Sequence, residues 1–269
     1  MDNGEGSGIR EVFRRLSALL QNALFPPKCR NCGTLFQPGE RPRALSFGDA
    51  MAPFLCPVCR EGFAEAASPL CPVCGEIFPS REGGDHLCGR CLEKPRPFGK
   101  ARALGLYDRG LLAAIYCLKY KGRTELALPL GRLLLEDFRK HFGKEGIDLV
   151  VPVPLHPARM RKRGFNQSFQ LIRHWPKWLG AEGTMEISDR VLIRTRETPS
   201  QTGLDRKERL KNLKDAFGVK NPDRIRGRRI LLVDDVYTTG ATAEACAKAL
   251  LAAGADRVDV LTLARTVEK

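Results

Sequence analysis

The sequence has no long hydrophobic run, since none of its apolar stretches approaches the roughly 20 residues that cross a bilayer. Its N-terminus opens with polar residues and carries no small-residue cleavage site before the first apolar part. These absences predict a cytoplasmic protein without membrane insertion. A G-x-G-x-x-G pattern and a P-loop lysine are also missing, which argues against a dinucleotide-binding fold and a P-loop nucleotide hydrolase.

Aromatic and acidic residues are both scarce. Aromatic residues make up 7 % of the chain, so few side chains are available to stack on nucleic-acid bases. Lys and Arg number 45 against 31 Asp and Glu; residues 1–100 carry 13 cations and 11 acids, whereas residues 101–269 carry 32 and 20. This excess predicts an anionic partner for the C-terminal part, either a phosphorylated small molecule or nucleic acid. The alternative is a generally basic, solvated surface.

Cysteine, in contrast, is abundant. Eight of the ten cysteines form four C-x-x-C pairs: Cys29/Cys32, Cys56/Cys59, Cys71/Cys74 and Cys88/Cys91. Two such pairs together supply four thiolates, so the eight predict two closed, structural zinc sites. Sequential pairing closes short loops of 23 and 13 intervening residues and is therefore the expected arrangement. Crossed pairing stays open at this point.

Other interpretations of the cysteines are an iron–sulfur cluster or redox-active thiols. The fourfold repetition of ribbon-like spacing favours zinc over both. The remaining cysteines, Cys117 and Cys246, lie in helical patterns and are expected to be small core residues. His86 lies close to Cys88 but is expected to be a solvated loop residue rather than a metal ligand.

The chain divides into three segments by composition. Residues 1–25 hold an amphipathic helix, residues 26–97 form the Cys-, Pro- and Gly-rich double zinc ribbon, and residues 98–269 form a larger domain. In this domain predicted strands alternate with predicted helices, which indicates an α/β fold with a doubly wound, mainly parallel sheet. The strands are expected at 103–108, 148–155, 190–195, 228–235 and 257–265, and the helices at 109–120, 124–142, 167–179, 205–215 and 241–253.

Two carboxylates interrupt an apolar run in the stretch ILLVDDVYTTGAT, residues 230–242. Ligands of open parallel sheets bind beyond the carboxyl ends of the strands, so Asp234 and Asp235 are expected to face a ligand there. Carboxylates suit a vicinal diol or the water shell of a divalent cation. The residues that follow suit a phosphate, because they combine hydroxyls, a flexible turn and a helix start; they are Thr238, Thr239, Gly240, Ala241 and Thr242.

Diol acceptors followed by a phosphate cradle describe a ribose 5-phosphate site. The stretch resembles the signature with which type I phosphoribosyltransferases bind phosphoribosyl pyrophosphate (PRPP). The resemblance implies that Asp234 and Asp235 hold the ribose hydroxyls, that the following turn holds the 5′-phosphate, and that magnesium accompanies PRPP. A further expectation is that no pocket for an acceptor base is evident, because only one strand follows the signature.

Two more stretches, residues 151–168 and 194–219, together with the cysteine ribbon resemble the ComF family of competence proteins over nearly the whole chain. This resemblance implies a double zinc ribbon followed by a phosphoribosyltransferase-like domain. It also implies a cytoplasmic role in DNA uptake and natural transformation, with single-stranded DNA as a partner.

Basic residues cluster after the second predicted strand, where the strand-end rule places them near the ligand. Arg159, Arg161, Lys162 and Arg163 suit a diphosphate, although a solvated basic loop is the alternative for Arg159 and Lys162. By resemblance, the segment from Arg163 through Gly164 to Asn166 is a pyrophosphate loop, which makes Arg163 a candidate catalytic residue beside the two aspartates. The resemblance also makes the 196–209 segment a lid over PRPP, with candidate contacts at Thr198, Ser200 and Gln201.

Three classes of function follow. The chain is an enzyme that releases pyrophosphate from PRPP, or a non-catalytic nucleic-acid-binding module with a vestigial PRPP site. The third class is an interaction protein that contacts a helicase or another uptake protein through its ribbon. For nucleic acid, the cations at Lys207, Arg209, Lys211 and Lys214 together with residues 159–163 predict a basic groove, with a solvated helix face as the alternative.

Overall fold

The computed structural model describes residues 26–37, 45–80, 82–180, 185–196, 212–213 and 215–267. The predicted N-terminal helix lies outside these residues. The helices are α1 (Phe47–Met51), α2 (Pro57–Arg60), α3 (Gly89–Glu93), α4 (Arg109–Tyr120), α5 (Ala127–Phe142), α6 (Pro157–Arg163), α7 (Gln167–Ile172), α8 (Trp175–Leu179) and α9 (Ala241–Ala252). The strands are β1 (Ala101–Leu106), β2 (Leu149–Pro152), β3 (Glu186–Ile187), β4 (Leu192–Arg194), β5 (Phe217–Val219), β6 (Arg229–Tyr237) and β7 (Arg257–Arg265).

Five strands form one parallel sheet in the order β1-β7-β6-β2-β3. Helices α4, α5, α7 and α8 cover one face, where they pack on strand residues such as Leu231 and Val233. Helix α9 covers the other face, where Ile230 and Leu232 point. This alternation along β6 is the two-residue period of a strand buried on both sides. The expected fold class, a parallel α/β sheet preceded by a Cys-rich double ribbon, is confirmed.

The sheet has a switch point between β2 and β6. From β6 the chain crosses through α9 to β7 on one side, whereas from β2 it crosses through α6, α7 and α8 to β3 on the other. Open α/β sheets bind ligands in the crevice that opens at such a point. Pairing between β2 and β6 ends at Pro152 and Val233, so Asp234 is the first β6 residue beyond the paired segment.

Several element boundaries differ from those expected. The basic segment after β2, predicted as a turn, forms helix α6. The helix begins at Pro157 and ends at Arg163, and Gly164 caps it with φ of 81°. The single helix predicted at 167–179 is two helices, α7 and α8, because Pro176 lacks the N–H that a continuous helix needs and occupies the first turn of α8. Strand β6 continues two residues past Asp235, to Tyr237.

The strand predicted at 190–195 is placed in another sheet. Its central part is β4, which pairs antiparallel with β5 and not with the parallel sheet. The fifth member of the parallel sheet is instead the two-residue strand β3, which no periodicity indicates. The helix predicted at 205–215 lies almost wholly outside the described residues.

The ribbon docks on the sheet edge and on helix α4. The backbone of Glu65 bridges to Gly105 in the edge strand β1, and Ala101 N donates to Val73 O at 2.7 Å. Phe47 and Met51 of α1 are buried in the same core as α4 and α5. In the described part of the chain, no helix has the length and apolarity that crossing a membrane requires.

Candidate functional site

The eight paired cysteines form two clusters of four. Cluster 1 consists of Cys29, Cys32, Cys56 and Cys59, and cluster 2 consists of Cys71, Cys74, Cys88 and Cys91. Within each cluster the sulfur atoms all lie within 4.8 Å of one another. Four thiolates at this spacing fit a tetrahedral structural zinc ion. The sequential pairing is therefore confirmed, and crossed pairing is wrong.

The two clusters differ in their burial. All four cluster 2 cysteines are buried, whereas Cys32 of cluster 1 is exposed and Cys59 is partly exposed. Cys117 and Cys246 are fully buried, which confirms their expected place in the core. His86 is exposed and stacks on the ring of Phe78 at 3.9 Å, as a solvated loop residue can.

Charged side chains connect cluster 2 to the α/β domain. Arg265, the last residue of β7, donates to Cys74 O at 2.7 Å and to Glu76 at 2.6 Å. Arg96, just after α3, forms a buried ion pair with Glu244 in the first turn of α9. Burial disfavours the charged form of Arg96, but its hydrogen bond to Cys91 and the charges nearby outweigh burial and raise its pKa. Cluster 2 is thus attached to the helix that follows the predicted phosphate loop.

Asp234 lies at the mouth of the crevice. It lines a small pocket together with Val153, Thr238, Gly240 and Thr242. Its Oδ1 accepts hydrogen bonds from the hydroxyl of Ser168 in α7, at 3.0 Å, and from the backbone N–H of Asp235, at 2.9 Å. Burial and the neighbouring charge of Asp235 raise the pKa of Asp234 to about 7.

Asp235 does not line this pocket. Only 3 % of its surface is exposed, and its Oδ1 lies 2.7 Å from Nζ of Lys119 in α4. Its Oδ2 is buried and has no hydrogen-bond partner among the described residues. The two carboxylates thus have different neighbours, and the binding role of each stays a prediction.

The predicted phosphate loop turns sharply at Gly240. This residue has φ of 80°, precedes the first turn of α9, and would place a Cβ 2.3 Å from the hydroxyl oxygen of Tyr237. Only glycine fits this position without displacing the tyrosine. Thr239 Oγ1 accepts from Ala241 N at 3.4 Å, and Thr238 and Thr242 are partly exposed beside the pocket. The loop thus has the shape and donors that an anion requires.

The basic segment lies on α6 and the start of α7. Arg161 and Lys162 are exposed, whereas Arg163 donates to Gln167 Oε1 at 2.5 Å and lies over the ring of Tyr120. Asn166 caps α7, since its Oδ1 accepts from Ser168 N at 2.9 Å and its Nδ2 donates to Val153 O at 3.0 Å. Both polar atoms of the Asn166 side chain therefore form hydrogen bonds within the loop.

The predicted lid contacts Thr198, Ser200 and Gln201 lie outside the described residues, as do the cations at Lys207, Arg209, Lys211 and Lys214. Two residues near the aspartates were not predicted, Lys119 and Ser168. Lys119 lies in an ordinary helical pattern far away along the chain, so no local signal identifies it. Ser168 follows the capping Asn166 in the stretch FNQS, and that cap is its only local signal.

Comparisons with known proteins place these features in context. A family model described as a double zinc ribbon domain matches residues 20–92. The "DNA utilization protein YhgH" of Escherichia coli strain K12 is 40 % identical over 186 residues, which cover 68 % of this chain and 79 % of that protein. "Competence protein F" of Haemophilus influenzae is 32 % identical over 66 % of this chain and 78 % of the relative. "Competence protein ComFC" of Streptococcus pneumoniae is 32 % identical over 61 % of this chain and 67 % of the relative.

The similarity to solved structures is weak. A phosphoribosylpyrophosphate synthetase from Mycobacterium smegmatis matches with a TM-score of 0.30 and 17 % identity, over 51 % of this chain and 33 % of that one. A hypoxanthine phosphoribosyltransferase from Staphylococcus aureus matches with a TM-score of 0.28 and 16 % identity, over 53 % and 62 %. Similarity at this level carries no argument about function.

Proposed function

Because this chain belongs to the ComF family of competence proteins, we propose that it binds PRPP with magnesium at the tip of β6 and acts in DNA uptake. The observation that carries the proposal is one arrangement. A carboxylate, Asp234, and a glycine-turned helix start, Gly240, border the same pocket at the switch point of a parallel sheet. The hydroxyls and the phosphate of one sugar require this combination of an acceptor and donors.

Each part of PRPP has a matching group in the proposal. Asp234 accepts hydrogen bonds from the ribose hydroxyls, while Thr238, Thr239, Thr242 and the N–H groups that open α9 hold the 5′-phosphate. Arg161 and Arg163 compensate the negative charge of the diphosphate, which is the leaving group and would be bound together with magnesium. In the catalytic case, C1 of the ribose forms a bond to the nucleophilic atom of an acceptor or to water while its bond to the diphosphate oxygen breaks. Arg163 is the proposed catalytic residue that compensates the charge on the leaving diphosphate.

Calorimetry of PRPP with and without magnesium tests the binding. The wild-type chain should bind PRPP with magnesium, and Asp234→Asn should weaken binding about 10- to 100-fold, the range for losing a charge-assisted hydrogen bond. Thr239→Val and Gly240→Ala should also weaken it. Asp223→Asn is the matched control, because the Asp223 side chain is 93 % exposed and remote from the sheet tips.

Equal PRPP affinity in the wild-type chain and in Asp234→Asn would contradict the proposal. A pyrophosphate-release assay, run with and without single-stranded DNA, then separates turnover from binding alone. Release that requires Arg163 supports an enzyme, whereas tight binding without release supports a vestigial PRPP site. Zinc content measured in every variant should stay at about two ions per chain, so that a folding defect is recognised.

We further propose single-stranded DNA as the macromolecular partner. The observations that favour it are the name of one relative, a DNA utilization protein, and the exposed cations Arg161 and Lys162 in the last turn of α6. Binding of a labelled oligonucleotide should weaken steeply between about 50 and 200 mM salt. Arg161→Gln with Lys162→Gln should make that salt dependence shallower by about one to two contacts, and unchanged salt dependence would count against this surface. A helicase or another uptake protein stays a proposed partner of the ribbon, which lies within residues 1–97. Capture of such a protein by the full chain tests this proposal.

A further inference from the structure

Two exposed tyrosines lie side by side on helix α4. Tyr116 and Tyr120 are one helical turn apart and share a face, and their ring centroids are 5.3 Å apart at an interplanar angle of 43°. Their exposed fractions are 42 % and 64 %. Single exposed apolar residues are common on protein surfaces, but here two of the four tyrosines of the chain lie together. Such a pair, in a chain with few aromatic residues, indicates a contact surface.

A cation lies over each of the two rings. Nζ of Lys121 is 5.5 Å from the ring centroid of Tyr116, and the guanidinium carbon of Arg163 is 5.8 Å from the ring centroid of Tyr120. Because Arg163 is the last residue of α6, this contact places the basic helix α6 next to the tyrosine pair. Rings bordered by cations suit a ligand that combines flat groups with a negatively charged backbone, which is the composition of a nucleic acid.

Lys121 also borders a cation-lined groove between cluster 1 and the end of α4. The cations that line this groove are Lys28, Arg30, Lys121 and Arg123. No acidic side chain among the described residues lines it. Lys121 lies over the ring of Tyr116 and donates to the backbone oxygen of Asn31 in the first knuckle. The groove and the tyrosine pair therefore form one continuous surface.

The cation-lined groove keeps a positive charge when its neighbours are taken into account. Glu125 does not line the groove but pairs with Arg30 at 3.2 Å. A zinc ion held by the four thiolates of cluster 1 would keep about two negative charges. The four lining cations still outnumber these charges, and Lys28 and Arg123 are exposed. The groove therefore favours an anionic group such as a phosphate.

We propose that Tyr116 and Tyr120 form a stacking surface for the bases of a single-stranded nucleic acid, whose phosphates lie along the cation-lined groove and the basic helix α6. Unpaired bases can stack on tyrosine rings, whereas the bases of a duplex are already stacked on one another. A strand bound in this way runs from cluster 1 across α4 to α6, so the ribbon binds it directly through Lys28. That the strand is DNA rests on the proposed function, whereas the stacking of unpaired bases does not.

Fluorescence anisotropy of a labelled oligothymidine with the full chain tests the stacking. Tyr116→Leu with Tyr120→Leu should weaken binding about 25-fold or more, because stacking contributes about fivefold or more for each ring. The slope of affinity against salt should stay the same, since neither ring displaces a counterion. Tyr116→Phe with Tyr120→Phe, which keeps both rings, should bind like the wild-type chain. The matched control is Leu92→Ala in α3, where an apolar side chain that is 66 % exposed is removed at cluster 2.

The cations of the groove should give the complementary result. Lys28→Gln with Arg123→Gln should lower the slope of log affinity against log salt by about 1.4, as expected for the loss of two phosphate contacts on a single strand. Lys220→Gln with Arg226→Gln removes two exposed cations between β5 and β6 and should leave the slope unchanged. Zinc content should stay at about two ions per chain in every variant, which shows that cluster 1 is intact beside residue 28. An unchanged slope in Lys28→Gln with Arg123→Gln would overturn the role of the groove.

Photocrosslinking to the wild-type chain needs no substitution and therefore does not depend on the folding of a variant. An oligonucleotide that carries iododeoxyuridine should crosslink to Tyr116 or Tyr120, as mass spectrometry of the peptides would show. Crosslinks confined to other residues, or equal affinity for a duplex of the same length, would overturn the stacking surface. Oligonucleotide binding that is indifferent to both tyrosines would remove this surface and leave the proposed DNA partner in place. Absence of binding by the wild-type chain would overturn that partner as well.

Discussion

The two cysteine clusters share one local motif but differ in how they join the rest of the molecule. Cluster 2 is fully buried, and Arg96 and Arg265 connect it through ion pairs to α9 and β7. Cluster 1 has an exposed ligand, Cys32, and its contacts with α4 include Asn31, whose side-chain oxygen lies 3.9 Å from Sγ of Cys117 and whose backbone oxygen accepts from Lys121. The same four thiolates are therefore all buried in cluster 2, whereas in cluster 1 two are buried and two reach the surface in part or in full.

The largest expected difference is in stability after loss of a ligand. Cys74→Ser should remove one zinc ion and lower the free energy of unfolding by roughly 4 kcal/mol or more, because the buried cluster 2 is part of the domain's support. Cys32→Ser should also remove one zinc ion but cost less than about half as much. Elemental analysis and urea unfolding of both variants measure this. Equal losses of stability would show that depth of burial does not distinguish the clusters.

The arginines near each cluster give the next largest contrast. Arg265→Met should lower the free energy of unfolding by about 3 kcal/mol. The substitution leaves the Cys74 carbonyl without its buried donor and removes a positive charge that pairs with Glu76. Arg30→Met is the matched change at cluster 1, where Arg30 and Glu125 are 41 % and 36 % exposed, and it should cost under about 1 kcal/mol. Thermal or urea unfolding gives both values. A smaller effect at Arg265 than at Arg30 would reverse the comparison.

The two clusters should release their zinc ions to a chelator at different rates. A chelator in excess should remove zinc in two phases that differ by about tenfold or more, since cluster 1, which has an exposed cysteine, opens locally more readily than cluster 2, whose four cysteines are buried. A colorimetric zinc indicator follows the release. The fast phase should disappear in Cys32→Ser, and its survival there would assign it to cluster 2 instead.

The smallest expected effect is at His86. This residue is exposed, stacks on Phe78 and lies two residues before Cys88 of cluster 2. His86→Ala should leave two zinc ions per chain and change the free energy of unfolding by less than about 0.5 kcal/mol, as for most surface substitutions. Loss of zinc in this variant would mean that the histidine takes part in metal binding after all.

Features that depend on local spacing were predictable from the sequence. The C-x-x-C pairs predicted two sites of four cysteines each, and the apolar runs predicted α4 and β7 with their observed bounds. In both cases the signal lies within one short segment, because metal knuckles and buried periodicity are properties of neighbouring residues. The same holds for Gly240, whose turn could be read from the stretch TTGAT.

Features that depend on distant packing were not predictable in this way. A strand of the parallel sheet and a strand of a separate two-stranded sheet share one pattern, so β4 was assigned to the wrong sheet. Lys119 meets Asp235 only because α4 packs on the tip of β6, and nothing in the stretch around residue 119 indicates that. Strand β6 continues past Asp234 and Asp235 to Tyr237, and the polar residues in this stretch gave no sign of that extension.

The position of β1 has a consequence for the order of synthesis. This strand is at the edge of the sheet and its one neighbour there is β7, which holds Arg265, the partner of cluster 2. Strand β1 and cluster 2 therefore make their final contacts only after residues 257–265 have left the ribosome. A nascent chain stalled before residue 257 should keep its ribbon sensitive to protease, and protection at that stage would show that the ribbon closes on its own.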